Sequence, residues 1–116
     1  MPRAPLIRYI TNVETRIFNT KELAEKTLVA ARARAEEFFA LRGRKPTLAV
    51  VLVGADPASQ IYVKKKSETC KTYGLTALDF SLSPNDGYAR LEALVRELNA
   101  RDDVDGILVQ LSLIHI

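Results

Sequence analysis

Residues 47–66, TLAVVLVGADPASQIYVKKK, decide how the rest of the chain is read. Thr47 to Val53 is an unbroken apolar run rich in β-branched side chains, the pattern of a strand covered on both faces. Gly54 to Pro57 breaks that run as a turn. Pro57 suits the first helical position, where its missing N–H leaves no bond unmade, and Asp56 stands where a capping side chain is expected. The helix that follows, from about Ala58 to Gly74, carries Tyr62 and Lys66 one turn apart and so on one side. Strand, turn and helix together place a phenol and an amine near the carboxyl end of the strand, the edge at which open α/β sheets bind ligands.

Upstream of this stretch, Asn19 or Thr20 is positioned to cap a long helix running to about Leu41. Leu23, Leu28, Ala31, Ala35, Phe38 and Phe39 recur there at spacings near three and four. Gly43 stops that helix, and Arg42 and Arg44 lie where cations favour a helix carboxyl end. Residues 1–18, with Pro2 and Pro5, read as an extended arm. Downstream, Leu75 to Leu82 reads as a second strand and Ser83 to Gly87 as a capped loop. Residues 88–99 form an amphipathic helix with Leu91, Leu94, Val95 and Leu98 on one side. Asp105-Gly106 leads into a third buried strand, Ile107 to Leu111. Helix, strand, helix, strand, helix, strand is the order of βαβ crossovers, which predicts a three-layer α/β/α fold around a parallel sheet. Three strands make a thin sheet with open edges, so the chain alone is expected to be marginally stable.

Composition sets further limits. A length of 116 residues allows one domain, and 47% hydrophobic with 27% charged residues is ordinary for a globular protein. No apolar run approaches the roughly 20 residues that span a bilayer, and the start lacks the pattern of a secretory signal, so no membrane association and a cytoplasmic location are expected. Cys70 is the single cysteine and His115 the single histidine, which leaves a metal site almost without ligands. The net charge of +3 is spread among acids: Arg32 and Arg34 neighbour Glu36 and Glu37, and Arg101 neighbours Asp102 and Asp103. Lys64, Lys65 and Lys66 fan around a helix axis instead of forming one patch, so no nucleic-acid partner is expected. The spacing of a phosphate-binding loop is absent around Gly54.

By residue type alone, Lys66 reads as a solvated helix lysine and Tyr62 as a half-buried packing residue. Ser59 reads as a first-turn residue bonding free amides, and Cys70 as a small buried apolar group. Gln110 is different, because a polar side chain closing an apolar strand must find a partner or reach solvent.

Taken together, Val53-Gly54, Asp56-Pro57-Ala58-Ser59, Tyr62 to Lys66, and Gly106-Ile107-Leu108-Val109-Gln110-Leu111 resemble the amino-terminal catalytic domain of the methylenetetrahydrofolate dehydrogenase/cyclohydrolase family. The resemblance covers roughly Asn19 to Leu111. It implies an enzyme of one-carbon metabolism that oxidises 5,10-methylenetetrahydrofolate to the methenyl form with NADP and hydrolyses that form to 10-formyltetrahydrofolate. It also implies that Lys66 is the catalytic lysine, that Gln110 is the glutamine hydrogen-bonding it, that Tyr62 stacks along the folate ring system, and that Ser59 holds the turn or touches substrate. An aliphatic amine is a poor base near neutrality unless burial or a partner favours its neutral form, and a neutral amide orients an amine without the ion pair that would hold it protonated. The partners implied are tetrahydrofolate derivatives and, for the parent enzyme, a second copy of itself.

Family members continue past the third strand through a segment that supplies a substrate-binding aspartate, a Rossmann domain that binds NADP, and a Pro-Gly-Gly loop. The chain is accordingly expected to be part of a longer enzyme, inactive by itself and with no cofactor of its own. Asn19-Thr20 replaces the Asp-Gly common before the first helix of the family. The closing LSLIHI departs from the family's Leu-Pro-Leu-Pro and equals the translation of CTGTCTCTTATACACATC, a transposon-end adapter, so residues 112–116 read as a non-native tail. The alternative expectation is a non-catalytic folate- or pteridine-binding or interaction module of the same fold.

Overall fold

Strand β1, Thr47–Val53, lies at the middle of the structure, a computed structural model that describes residues 19–111. The arm and the tail inferred from the sequence lie outside the described residues. Helix α1, Thr20–Arg42, precedes β1; helix α2, Pro57–Thr72, strand β2, Thr76–Leu82, a 3-10 turn at Pro84–Asp86, helix α3, Gly87–Ala100, and strand β3, Gly106–Leu111, follow it. The three strands are parallel in the order β2-β1-β3, with Val50 opposite Asp79 and Leu108, and Leu52 opposite Ser81 and Gln110.

Alternation along β1 divides the core in two. Ala49 and Val51 face Leu82 of β2 and Leu94 and Leu98 of α3, with Phe80, Leu91, Val104 and Ile107 around them. Val50 and Leu52 face Val63 of α2, with Leu48 and Leu108 alongside. Ala49, Val50 and Val51 are wholly buried, as a strand covered by helices on both faces requires. The α/β architecture expected from the element order is the one observed.

Local chemistry sets the element ends. Asn19 caps α1 by accepting from the Glu22 amide, and Gly43 closes it in the left-handed conformation with φ of 71°. Gly74, with φ of 84°, follows α2, and the Leu75 amide reaches back to the Cys70 carbonyl at 2.8 Å. That long bond is the signature of a Schellman ending, and it explains why the helix ends one to two residues before the glycine.

Three expectations need correction. Of the apolar residues read as one face of α1, only Ala35 is buried and Leu28, Ala31 and Phe38 are partly covered, whereas Leu23 and Phe39 are exposed. Ala35 faces Gly74, where a Cβ would stand 3.9 Å from its own, so the helix meets the rest of the structure along a narrow line. Asp56 precedes α2 in an extended conformation but makes no side-chain cap. Arg44 is not a helix-end cation. Its guanidinium donates two bonds to Asp105, Nη1 to Oδ2 at 2.7 Å and Nη2 to Oδ1 at 2.9 Å, and stacks over Phe38. A fork matched to a carboxylate is a better partner than a solvated helix end.

Asp105 also accepts from the Thr47 amide at 2.8 Å, and its own amide donates to the Thr47 carbonyl at 2.9 Å. The start of β3 is thereby clamped to the start of β1. The Arg44 hydrogen bond, opposed by partial burial and helped by the Thr47 amide, lowers the Asp105 carboxyl from 3.8 to about 2. A carboxyl held low in the fold stabilises above its unfolded value and loses that contribution as pH falls toward the folded one. Urea titrations from pH 5 to pH 2 are predicted to show wild type losing stability below about pH 4 relative to Asp105→Asn, by about 1 kcal/mol once solvent screening of this partly exposed pair is counted. Leu98, 1% exposed at the heart of the larger cluster, is predicted to cost about 3 kcal/mol when cut to alanine, read as a lower urea midpoint.

Candidate functional site

The carboxyl ends of β1 and β3 and helix α2 form the edge at which Tyr62, Lys66 and Gln110 lie. Leu108 and Gln110 alternate onto the α2 side of the sheet, while Ile107 faces α3. Helix α2 crosses above β1 with Ser59, Val63 and Ser67 buried beneath it at a spacing of four. Lys66, next along from Ser67, is turned toward β3, and its Nζ donates to Gln110 Oε1 at 2.7 Å. Both side chains are partly buried. The polar group that closes the apolar strand thus has its partner, and the lysine is not a free solvated side chain.

The acceptor matters chemically. A carboxylate at that distance would form an ion pair, whereas the neutral amide oxygen orients the amine without one. Tyr62, one turn earlier on α2, is 57% exposed. Part of its ring therefore stands in solvent at this edge.

Ser59 behaves differently from the amide-bonding residue expected of a first turn. It is buried, and its hydroxyl donates to Asp56 Oδ2 at 3.2 Å. The bond folds the Gly54–Asp56 turn back onto the helix. Lys66 and Gln110 are in direct contact; Tyr62 shares their helix side at the same edge; Ser59 holds the turn behind it.

Cys70 is partly covered, and burial, with the nearby Asp79 carboxylate adding to it, pushes its thiol up and away from the reactive thiolate. Among the described residues no group of three His, Cys, Asp or Glu side chains is placed to hold a metal, and no helix is long and apolar enough to cross a membrane. A groove of about 400 Å³ on the β2 side of α2, lined by Gln60, Lys64, Ser67, Lys71, Asp79 and Ser81 among others, does not include Tyr62, Lys66 or Gln110.

Sequence reasoning missed two polar contacts. One is the Arg44–Asp105 clamp, for which the run Asp103-Val104-Asp105-Gly106 ahead of β3 was the available signal. The other is a bond from Ser67 Oγ to Asp79 Oδ1 at 2.7 Å, between α2 and β2. Its signal was the recurrence of polar residues, Ser59 and Ser67, on the buried stripe of α2.

The tetrahydrofolate dehydrogenase/cyclohydrolase catalytic domain matches residues 18–115. The bifunctional protein FolD of Acidithiobacillus ferrooxidans is 48% identical over 93 residues, which is 80% of this chain and 32% of that protein. The crystal structure of the bifunctional enzyme FolD from Campylobacter jejuni superposes with a TM-score of 0.72 at 41% identity, covering 80% of this chain and 33% of that one. A methylenetetrahydrofolate dehydrogenase from the silkworm Bombyx mori gives 0.75 at 34% identity, over 84% and 33%. The Trypanosoma brucei dehydrogenase-cyclohydrolase, solved as a complex with NADP and an inhibitor, gives 0.75 at 25% identity, over 90% and 36%. The chain spans about a third of the length of the curated relatives it matches. On the match of residues 18–115, the chain belongs to the tetrahydrofolate dehydrogenase/cyclohydrolase catalytic domain family.

Proposed function

We propose that this chain supplies the folate-facing part of an enzyme that oxidises 5,10-methylenetetrahydrofolate and hydrolyses the resulting methenyl form to 10-formyltetrahydrofolate. The observation that carries the reading is the 2.7 Å bond from Lys66 Nζ to Gln110 Oε1 at the carboxyl edge of the sheet, with an exposed Tyr62 one turn away. In this reading Tyr62 lays its ring along the pteridine, Lys66 Nζ handles the proton at the N5–N10 bridge, and Gln110 keeps the amine aimed. Ser59 shapes the turn through Asp56.

The turn after β1 does not fit the phosphates of a nicotinamide dinucleotide. The turn after β1 opens onto a helix whose first residue, Pro57, has no N–H, with the Asp56 carboxylate beside it. A phosphate at a helix start needs free amides and no neighbouring anion. NADP, which would accept the hydride, belongs in this reading to chain outside the described residues. A longer parent, its pairing as a homodimer and a cytoplasmic location are parts of the same proposal.

Two variants test it in an enzyme of full family length carrying this segment. Lys66→Ala is predicted to lower kcat for methenyl hydrolysis by about 100-fold or more, since positioned proton transfer contributes on that order, with folate affinity changed far less. Unchanged turnover would overturn the assignment, and retained folate binding in a wild type without turnover would favour a binding module. Gln110→Glu is predicted to lower the rate near neutrality and to move the rate profile to higher pH, because a carboxylate there holds the amine protonated.

A further inference from the structure

We propose that Ser67 and Asp79 form a positioning pair that sets the roll of α2 on the sheet and so aims Lys66 at Gln110. The inference rests on the reading of Lys66 and Gln110 as the reactive pair, and it concerns what holds them in place.

The buried stripe of α2 holds three residues, Ser59, Val63 and Ser67, so Val63 alone gives the helix a buried apolar grip. One valine on a sheet does not fix rotation about a helix axis, because hydrophobic contact has no direction. Two polar bonds do. Lys66 and Ser67 are adjacent and so point about 100° apart around the helix. Lys66 reaches Gln110 on β3, and Ser67 reaches Asp79 on β2 at 2.7 Å, the two strands flanking β1. The helix is thus tied on both sides of the strand beneath it. The hydroxyl is buried and its acceptor is a carboxylate, the stronger kind of hydrogen bond. Without the bond to β2, a roll of about 20° would carry a side-chain end about 6 Å from the axis through roughly 2 Å, enough to break a hydrogen bond.

The test is nuclear magnetic resonance on an isotope-labelled enzyme of full family length carrying this segment. It reads the cross-peak between the Lys66 side-chain methylenes and the Gln110 side-chain amide, and the shift of that amide nitrogen. Ser67→Ala and Asp79→Ala are expected to lose the cross-peak and shift the nitrogen, while Asp79→Asn, which keeps an acceptor, restores both. Thr72→Ala removes an exposed hydroxyl bond to the Glu68 carbonyl on the same helix and is expected to change neither.

Asp79 is exposed, so its alanine variant is expected to keep the circular dichroism of wild type. Loss of the fold in that variant would make the pair a general stabiliser and overturn the proposal. An intact cross-peak in folded Asp79→Ala, or its loss in Thr72→Ala, would overturn it equally. Absence of the cross-peak from wild type would remove the contact on which the proposal stands. Turnover by Lys66 variants has no bearing on these signals, so a failure of the functional reading is told apart from a failure of this one.

Discussion

Burial of β1 on both faces is the constraint from which the rest of the structure follows. A strand with no polar face cannot stand at a surface, so one helix has to cover each side, and parallel neighbours have to occupy both edges. Ala49 and Val51 commit to α3 while Val50 and Leu52 commit to α2. Moving the register by one residue would exchange the two sets and empty both cores. The same commitment fixes the site, because it determines which residues of β2 and β3 lie beneath α2.

The two helices grip the sheet in different ways. Helix α3 is held by fully buried leucines, Leu94 and Leu98, packed into the larger cluster. Helix α2 contributes one buried valine and otherwise relies on polar bonds to the flanking strands: Lys66 to Gln110 and Ser67 to Asp79. Apolar packing tolerates sliding and rolling, while hydrogen bonds have direction. The helix that carries Tyr62 and Lys66 is the one held directionally.

At the opposite end of the sheet, Arg44 and Asp105 join the entry of β1 to the entry of β3. Asp105 takes up the guanidinium fork and the Thr47 amide together, closing the strand ends where no helix covers them. The Lys66–Gln110 contact and the clamp are therefore separated along the strands, one at the carboxyl end and the other at the amino end. Helix α1 meets the clamp through Phe38, over which Arg44 stacks, and the rest of the body through Ala35.

The sequence by itself determined the element order, the parallel α/β class and the edge at which Tyr62, Lys66 and Gln110 gather. Those features follow from local periodicity, turn residues and two motifs, all of which are properties of neighbouring positions. Tertiary structure alone decided which polar groups meet across elements: Arg44 with Asp105, Ser67 with Asp79, and Ser59 with Asp56 instead of free amides. It also decided that most of α1's apolar residues remain uncovered by the described chain, although their spacing is that of a packed helix. Periodicity reports which residues share a face; whether anything covers that face, and which partner a charged or hydroxyl group takes, depends on distances between residues far apart in the chain.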